Sequence, residues 1–206
     1  MKSHEERHWQ TVYSTKDPAE VSWHQSIPRP SLKALEQIGA SSAQSLVDVG
    51  GGASTLVDEL LDRGWRDLAV LDISGAALEG AQTRLGQRAT DVNWIAADIR
   101  NWSPQRQWDI WHDRAVFHFL VEADDRKRYK EKLLQGLAQD GALIMATFAL
   151  SGPERCSGLP VRRYDASSLA AEMGPDLQFV EGWTDDHLAP WGSIQTFTWA
   201  IFRRVS

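Results

Sequence analysis

Residues 46–54 read Leu46, Val47, Asp48, Val49, Gly50, Gly51, Gly52, Ala53, Ser54: an apolar strand carrying one acid that runs into three consecutive glycines. Glycines at a strand-to-helix turn let the backbone approach a ligand closely, and the helix behind them offers unpaired N–H donors. Asp48 stands two residues before the first glycine, where dinucleotide-binding turns carry an apolar residue. Thr55 occupies the place of the third glycine of a G-x-G-x-x-G pattern. No Gly-Lys-Ser/Thr follows, which excludes a phosphate-cradling loop of that type. A carboxylate aimed at such a turn repels pyrophosphate and suits a ligand with positive charge.

Outward from this turn, Leu56, Leu60 and Leu61 mark one face of a helix that Gly64 ends, and Leu68–Asp72 reads as a buried strand. Ser74 caps a second helix with Leu78, Ala81 and Leu85 inward, and residues 92–97 give a third strand leading to Asp98. Residues 108–111 form a fourth strand, followed by a helix carrying Tyr129, Leu133 and Leu137, and residues 142–149 a fifth. Asp165 caps a helix through Leu169, after which strands at 177–183 and 195–202 are expected as an antiparallel edge pair. The alternation defines an α/β, Rossmann-like doubly wound sheet. Residues 1–40 lack it and hold Trp9, Tyr13 and Trp23, so they are expected to cover the ligand as a lid, with 41–206 forming the single globular domain.

Composition narrows the function classes. At 206 residues, 42% of them hydrophobic, the chain suits one domain with a full-sized core. A net charge of −6 offers no basic face for nucleic acid, and no apolar run approaches the roughly 18 residues that span a membrane. One cysteine, Cys156, forms no intrachain disulfide, and the charged amino terminus has no apolar segment behind it, so a cytoplasmic protein is expected. No metal site is expected: His187 beside Asp185 and Asp186 reads as an exposed acidic turn.

Three acids then fall at strand carboxyl ends. Asp72 lies 20 residues after Gly52, the distance at which an acid meets the two ribose hydroxyls of an adenosine ligand. Asp98 is placed to accept from an adenine amino group, and Ile73 and Ile99 to pack on the purine. With Asp48 facing an ammonium and a sulfonium, the set specifies S-adenosyl-L-methionine, whose demethylated product is S-adenosyl-L-homocysteine. The expected cofactor residues are Asp48, Gly50, Gly51, Gly52, Asp72, Ile73, Asp98, Ile99 and His112.

These residues resemble the class I SAM-dependent methyltransferases, in element order and motifs from Trp9 to Arg203. The resemblance implies a seven-stranded sheet with the last strand antiparallel, the methionine end near Asp48 and the glycines, ribose on Asp72 and adenine near Asp98. It leaves the acceptor open, because this scaffold serves methylation of oxygen, nitrogen, sulfur and carbon.

The segment Trp111, His112, Asp113, Arg114, Ala115, Val116, Phe117, His118, Phe119, Leu120 lacks the Asn/Asp-Pro-Pro-aromatic signature of amide and nucleobase N-methyltransferases. It is similar to thiol and thiopurine methyltransferases, with Arg126 and Tyr129 opening the next helix. It is also similar to some protein-lysine methyltransferases, except that Ala115 stands where those have glycine, and most of all to a set of uncharacterised bacterial methyltransferases. Ionising a thiol at pH 7 costs roughly 2 kcal/mol against roughly 4.6 kcal/mol to neutralise a lysine, so a thiol site manages with positioning. His118 is the candidate general base, with Asp113 beside it; Asp113 and Arg114 are read as an ion pair orienting the loop. Trp9, Tyr13, Trp23, Phe117, Arg126 and Cys156 are the candidate acceptor contacts. The expectation is methyl transfer to a small nucleophile, a thiol or other chalcogen slightly favoured, with a protein-lysine N-methyltransferase and a SAM-binding sensor as alternatives. The sequence carries no signal for oligomeric state.

Overall fold

The computed structural model describes residues 3–15 and 21–205; residues 1–2 and 16–20 of the expected covering segment lie outside them. Among the described residues, α1 (His4–Thr15) and α2 (Arg29–Gln37) precede β1 (Leu46–Val49), α3 (Leu56–Asp62), β2 (Leu68–Asp72), α4 (Gly75–Leu85) and β3 (Val92–Ala96). Then come β4 (Trp108–Arg114), α5 (Ala123–Gly136), β5 (Leu137–Phe148), a short ribbon of β6 (Arg155–Cys156) and β7 (Leu159–Pro160), α6 (Ala166–Met173), β8 (Leu177–Leu188) and β9 (Ile194–Arg204).

Seven strands form one sheet in the order β3-β2-β1-β4-β5-β9-β8, with β6 and β7 apart from it. The first five pair in parallel, and β9, the last strand of the chain, runs antiparallel to both β5 and β8. The chain reverses direction across the sheet at β1, between β2 and β4. Ligands in doubly wound sheets bind in the crevice beyond the carboxyl ends at such a point.

Two apolar layers sandwich the sheet. Leu32, Ala34 and Leu35 of α2 join Leu56 and Leu60 of α3 and Leu78 of α4 in one cluster, and Tyr129 and Leu133 of α5 join Leu169 of α6 in the other. Because α2 sits in the first of these cores, the boundary expected at residue 40 cuts through packed structure. Trp23 also packs against that cluster, and α1 is the amino-terminal helix outside both.

Several boundaries differ from expectation. β4 runs on to Arg114, which places His112 and Asp113 inside a strand. Leu137 opens β5 because α5 stops at Gly136, where a Cβ would stand 2.7 Å from the Trp111 ring. β8 continues to Leu188, so His187 lies on a strand instead of in an exposed turn; it is buried, with Nε2 2.6 Å from the Ser22 carbonyl oxygen.

Candidate active site

The carboxyl ends of β1, β2 and β4 open on a cavity of about 320 Å³, within the range of small-ligand sites. The three glycines play different parts beside it, and only Gly50 lines it. Gly50 leaves β1 at φ +74°, and a Cβ there would stand 2.1 Å from Val116 Cγ2. At Gly51 a Cβ would meet Asp48 Oδ2 at 2.2 Å. Gly52 lines neither this cavity nor the smaller cleft beside it; its N–H donates to Asp72 Oδ2 at 3.1 Å, so it positions the acid.

Asp72 lines the cavity with Ile73, Asp98 and Ile99, as their strand-end positions require. The Ser74 N–H donates to its other oxygen at 2.8 Å. Burial raises its pKa to about 6 against the opposing effect of those N–H donors. Asp98, expected to accept from an adenine amino group, also has protein partners. Arg100 Nη2 donates to it at 2.6 Å, and the same guanidinium reaches Asp125 at 3.1 Å and Glu5 of α1 at 3.5 Å. The acid thus meets the cavity as part of an ion network.

Asp48 faces the smaller cleft, which shares Gly50, Trp23 and Arg114 with the main cavity and also holds Gly51 and His112. His112 Nδ1 donates to Asp48 Oδ1 at 2.7 Å, and its Nε2 lies 3.0 Å from Ser31 Oγ of α2. Asp48 Oδ2 is buried without a partner among the described residues. One oxygen is therefore anchored, and the other is not.

The amino-terminal aromatics lie at the cavity. Trp9, Tyr13 and Trp23 all line it, with Trp9 at 5.5 Å from Trp23 and 5.1 Å from Phe119, centroid to centroid. Polar bonds pin α1 at three points. Gln10 Oε1 accepts from the Ala76 N–H at 3.2 Å, Glu5 reaches Arg100, and His8 Nε2 lies 3.3 Å from Ser157 Oγ beside the ribbon. Cys156 of β6 lines the cavity and burial pushes its thiol up to about 12, so at neutral pH it is protonated.

Besides Gly52, four expected site residues reach neither the cavity nor the cleft beside it. His118 is fully buried, the Phe148 N–H donates to its Nδ1 at 3.2 Å, and burial with the nearby Arg114 charge lowers its pKa to about 3. It is a neutral acceptor in the interior. Asp113 accepts from the Val116 N–H at 2.9 Å and from Tyr129 Oη at 2.5 Å, and burial raises its pKa to about 6. Phe117 packs on Tyr129 and Tyr164, while its neighbour Phe119 takes the cavity wall. Arg126 donates to the carbonyls of Leu120 and Val121 and pairs with Glu172, all structural contacts.

The expected Asp113–Arg114 pair also fails. Successive side chains of a strand point to opposite faces, so Asp113 turns toward α5 and Arg114 toward the cavity. Arg114, Phe119, Phe148, Gln195 and Phe197 are cavity residues that the sequence reading did not single out as acceptor contacts. For Arg114 the strand alternation was the available signal; for Gln195 and Phe197 there was none, because their place depends on β9 docking beside β5. Ala115, at φ +70°, adopts the left-handed conformation that glycine favours, so its backbone suits the glycine found there in the lysine enzymes.

The fold is similar to that of solved SAM-dependent methyltransferases, with the cavity at the carboxyl ends of the strands. Residues 46–141 match the family model described as a methyltransferase domain. The chain is similar to a trans-aconitate 2-methyltransferase of Rhodopseudomonas palustris, 29% identical over 119 residues, covering 57% of this chain and 43% of that one. It is similar to malonyl-[acyl-carrier protein] O-methyltransferase 1 of Ilyobacter polytropus, 28% identical over 111 residues, covering 53% of this chain and 40% of that one. The chain thus spans under half the length of these curated relatives. In fold it is similar to the N-methyltransferase NodS of Bradyrhizobium japonicum, solved with S-adenosyl-L-homocysteine. The TM-score is 0.73 and the identity 17%, over 99% of this chain and 100% of that one.

Proposed function

We propose that the chain is an enzyme that transfers a methyl group from S-adenosyl-L-methionine to a small nucleophilic acceptor. The observation that carries this reading is one continuous cavity with two chemically different halves. Asp72, Ile73, Asp98 and Ile99 line it at the β2 and β3 ends, and Phe119, Phe148, Cys156 and Phe197 at the β4, β5 and β9 side. The first half suits adenosine; the second, walled by these side chains, leaves room for an acceptor.

When bound, the donor supplies a methyl group on a positively charged sulfur. Asp72 would accept from its ribose hydroxyls, Ile73 and Ile99 would pack on the purine, and the free oxygen of Asp48 would meet the ammonium. Trp9, Tyr13 and Trp23 would exclude water from the reacting groups, which strengthens every charge interaction inside. With His118 and Asp113 turned away, positioning does more of the work than proton removal.

Incubation with methyl-labelled donor, offered small acceptors or a cell extract, tests this. The proposal predicts label in small-molecule products together with S-adenosyl-L-homocysteine. Label confined to protein would instead indicate a lysine methyltransferase, and tight donor binding without transfer to any acceptor a sensor module.

A further inference from the structure

We propose that Arg114 and Gln195 form a receptor for a carboxylate on the acceptor, so that the reaction is carboxylate O-methylation. This rests on the methyl-transfer reading above and names the acceptor's chemical class.

Arg114 ends β4 and lines the cavity, with Nη1 donating to the Trp23 carbonyl at 3.0 Å. Its Nη2 is buried and has no hydrogen-bond partner among the described residues, nor does its guanidinium form an ion pair with any of them. The guanidinium carbon lies 5.0 Å from the Phe197 ring centroid, an aromatic wall that does not neutralise it. Guanidinium remains ionised in proteins, and a buried charge without a counter-ion is costly, so the site favours an incoming anion.

Gln195 lies on β9 and supplies a second unmet group: its Oε1 is also buried without a partner, and the residue lines the same cavity. Which end of an amide carries nitrogen is an assignment, so this carboxamide can present N–H to the cavity. A guanidinium and a carboxamide that line one cavity from two strands match the two oxygens of a planar carboxylate better than the single sulfur of a thiolate. The groups whose charge would act on Arg114 are Cys156, which burial holds protonated, then Asp185 and Asp48; none of them forms an ion pair with it among the described residues, and Asp48 is anchored by His112.

A carboxylate is already ionised at neutral pH, so no proton has to leave. One carboxylate oxygen donates a lone pair to the methyl carbon while the carbon–sulfur bond of the donor breaks, giving a methyl ester and S-adenosyl-L-homocysteine. This fits a cavity from which His118 and Asp113 are turned away.

The donor itself carries a carboxylate, so the test must separate the two sources. Calorimetry would measure S-adenosyl-L-homocysteine binding to the wild type, Arg114→Met and Gln195→Met. Trans-aconitate, malonate, malonamide and small thiols would then be titrated into the chain saturated with S-adenosyl-L-homocysteine, and turnover followed with the methyl donor. The proposal predicts that carboxylates bind and are methylated, malonamide and thiols are not, and Arg114→Met weakens carboxylate binding about 100-fold with donor-product affinity kept. Gln195→Met should show a smaller loss in the same direction. Loss of S-adenosyl-L-homocysteine binding in Arg114→Met would assign the guanidinium to the donor's carboxylate and overturn the proposal. Thiol turnover without carboxylate binding, or carboxylate binding indifferent to both substitutions, would do the same. A wild type that binds no S-adenosyl-L-homocysteine would instead remove the methyl-transfer reading itself.

Discussion

At the scale of single residues, burial decides the roles more than residue type does. Asp72 and Asp113 share a pKa of about 6 through burial, yet Asp72 lines the cavity and Asp113 is enclosed by Tyr129 and backbone N–H groups. Each lies above the unfolded value of about 3.9, so the folded chain binds more protons between about pH 4 and 6, and their contribution to stability falls as pH rises through that window. Ligand binding through Asp72 runs the other way, because ribose hydroxyls donate to the ionised acid. Affinity for S-adenosyl-L-homocysteine should therefore weaken as pH falls below about 6, approaching tenfold per pH unit. Asp72→Asn should bind at least about tenfold more weakly at pH 7.5 and lose that dependence. Calorimetry across pH checks both, and an unchanged slope would remove Asp72 from the ribose site.

His118 is the residue whose placement most revises the sequence reading. Its imidazole accepts from the Phe148 N–H and packs against Phe119 and Phe148 at centroid distances of 4.5 and 4.7 Å. His118→Ala leaves a cavity and an unpaired N–H, so we expect about 3 kcal/mol of destabilisation. Denaturant unfolding measures that loss. Full stability with abolished turnover would restore the general-base assignment.

At the scale of elements, the parallel half of the fold was legible because each strand and helix carries its own local signal. The glycine turn, the Ser74 cap and the Asp165 cap all stand where read, the last two with side chains accepting from Ala77 N–H and Ser168 N–H. The acids of that half reach the cavity because they end strands, a position visible in one dimension. What was not legible depends on how faces turn. β4 extends past Trp111, and its alternation sends His112 to α2, Asp113 to α5 and Arg114 to the cavity. A segment that looked like one catalytic loop is divided among three environments. Gln195 and Phe197 reach the acceptor side only because β9 pairs antiparallel with β5, opposite Phe148. No local pattern encodes that pairing.

At the scale of the whole molecule, the sheet order brings Asp72 and Asp98 to one side of β1 and Phe119, Phe148 and Phe197 to the other, and α1 spans both. Glu5 reaches Arg100 beside Asp98, while His8 meets Ser157 next to Cys156, so one helix is fastened to both halves. The most direct test of the account is calorimetry of the full chain with S-adenosyl-L-methionine, S-adenosyl-L-homocysteine and NAD. Saturable one-to-one binding of the first two and none of NAD is the predicted result. Tight NAD binding with no response to either sulfur ligand would contradict it.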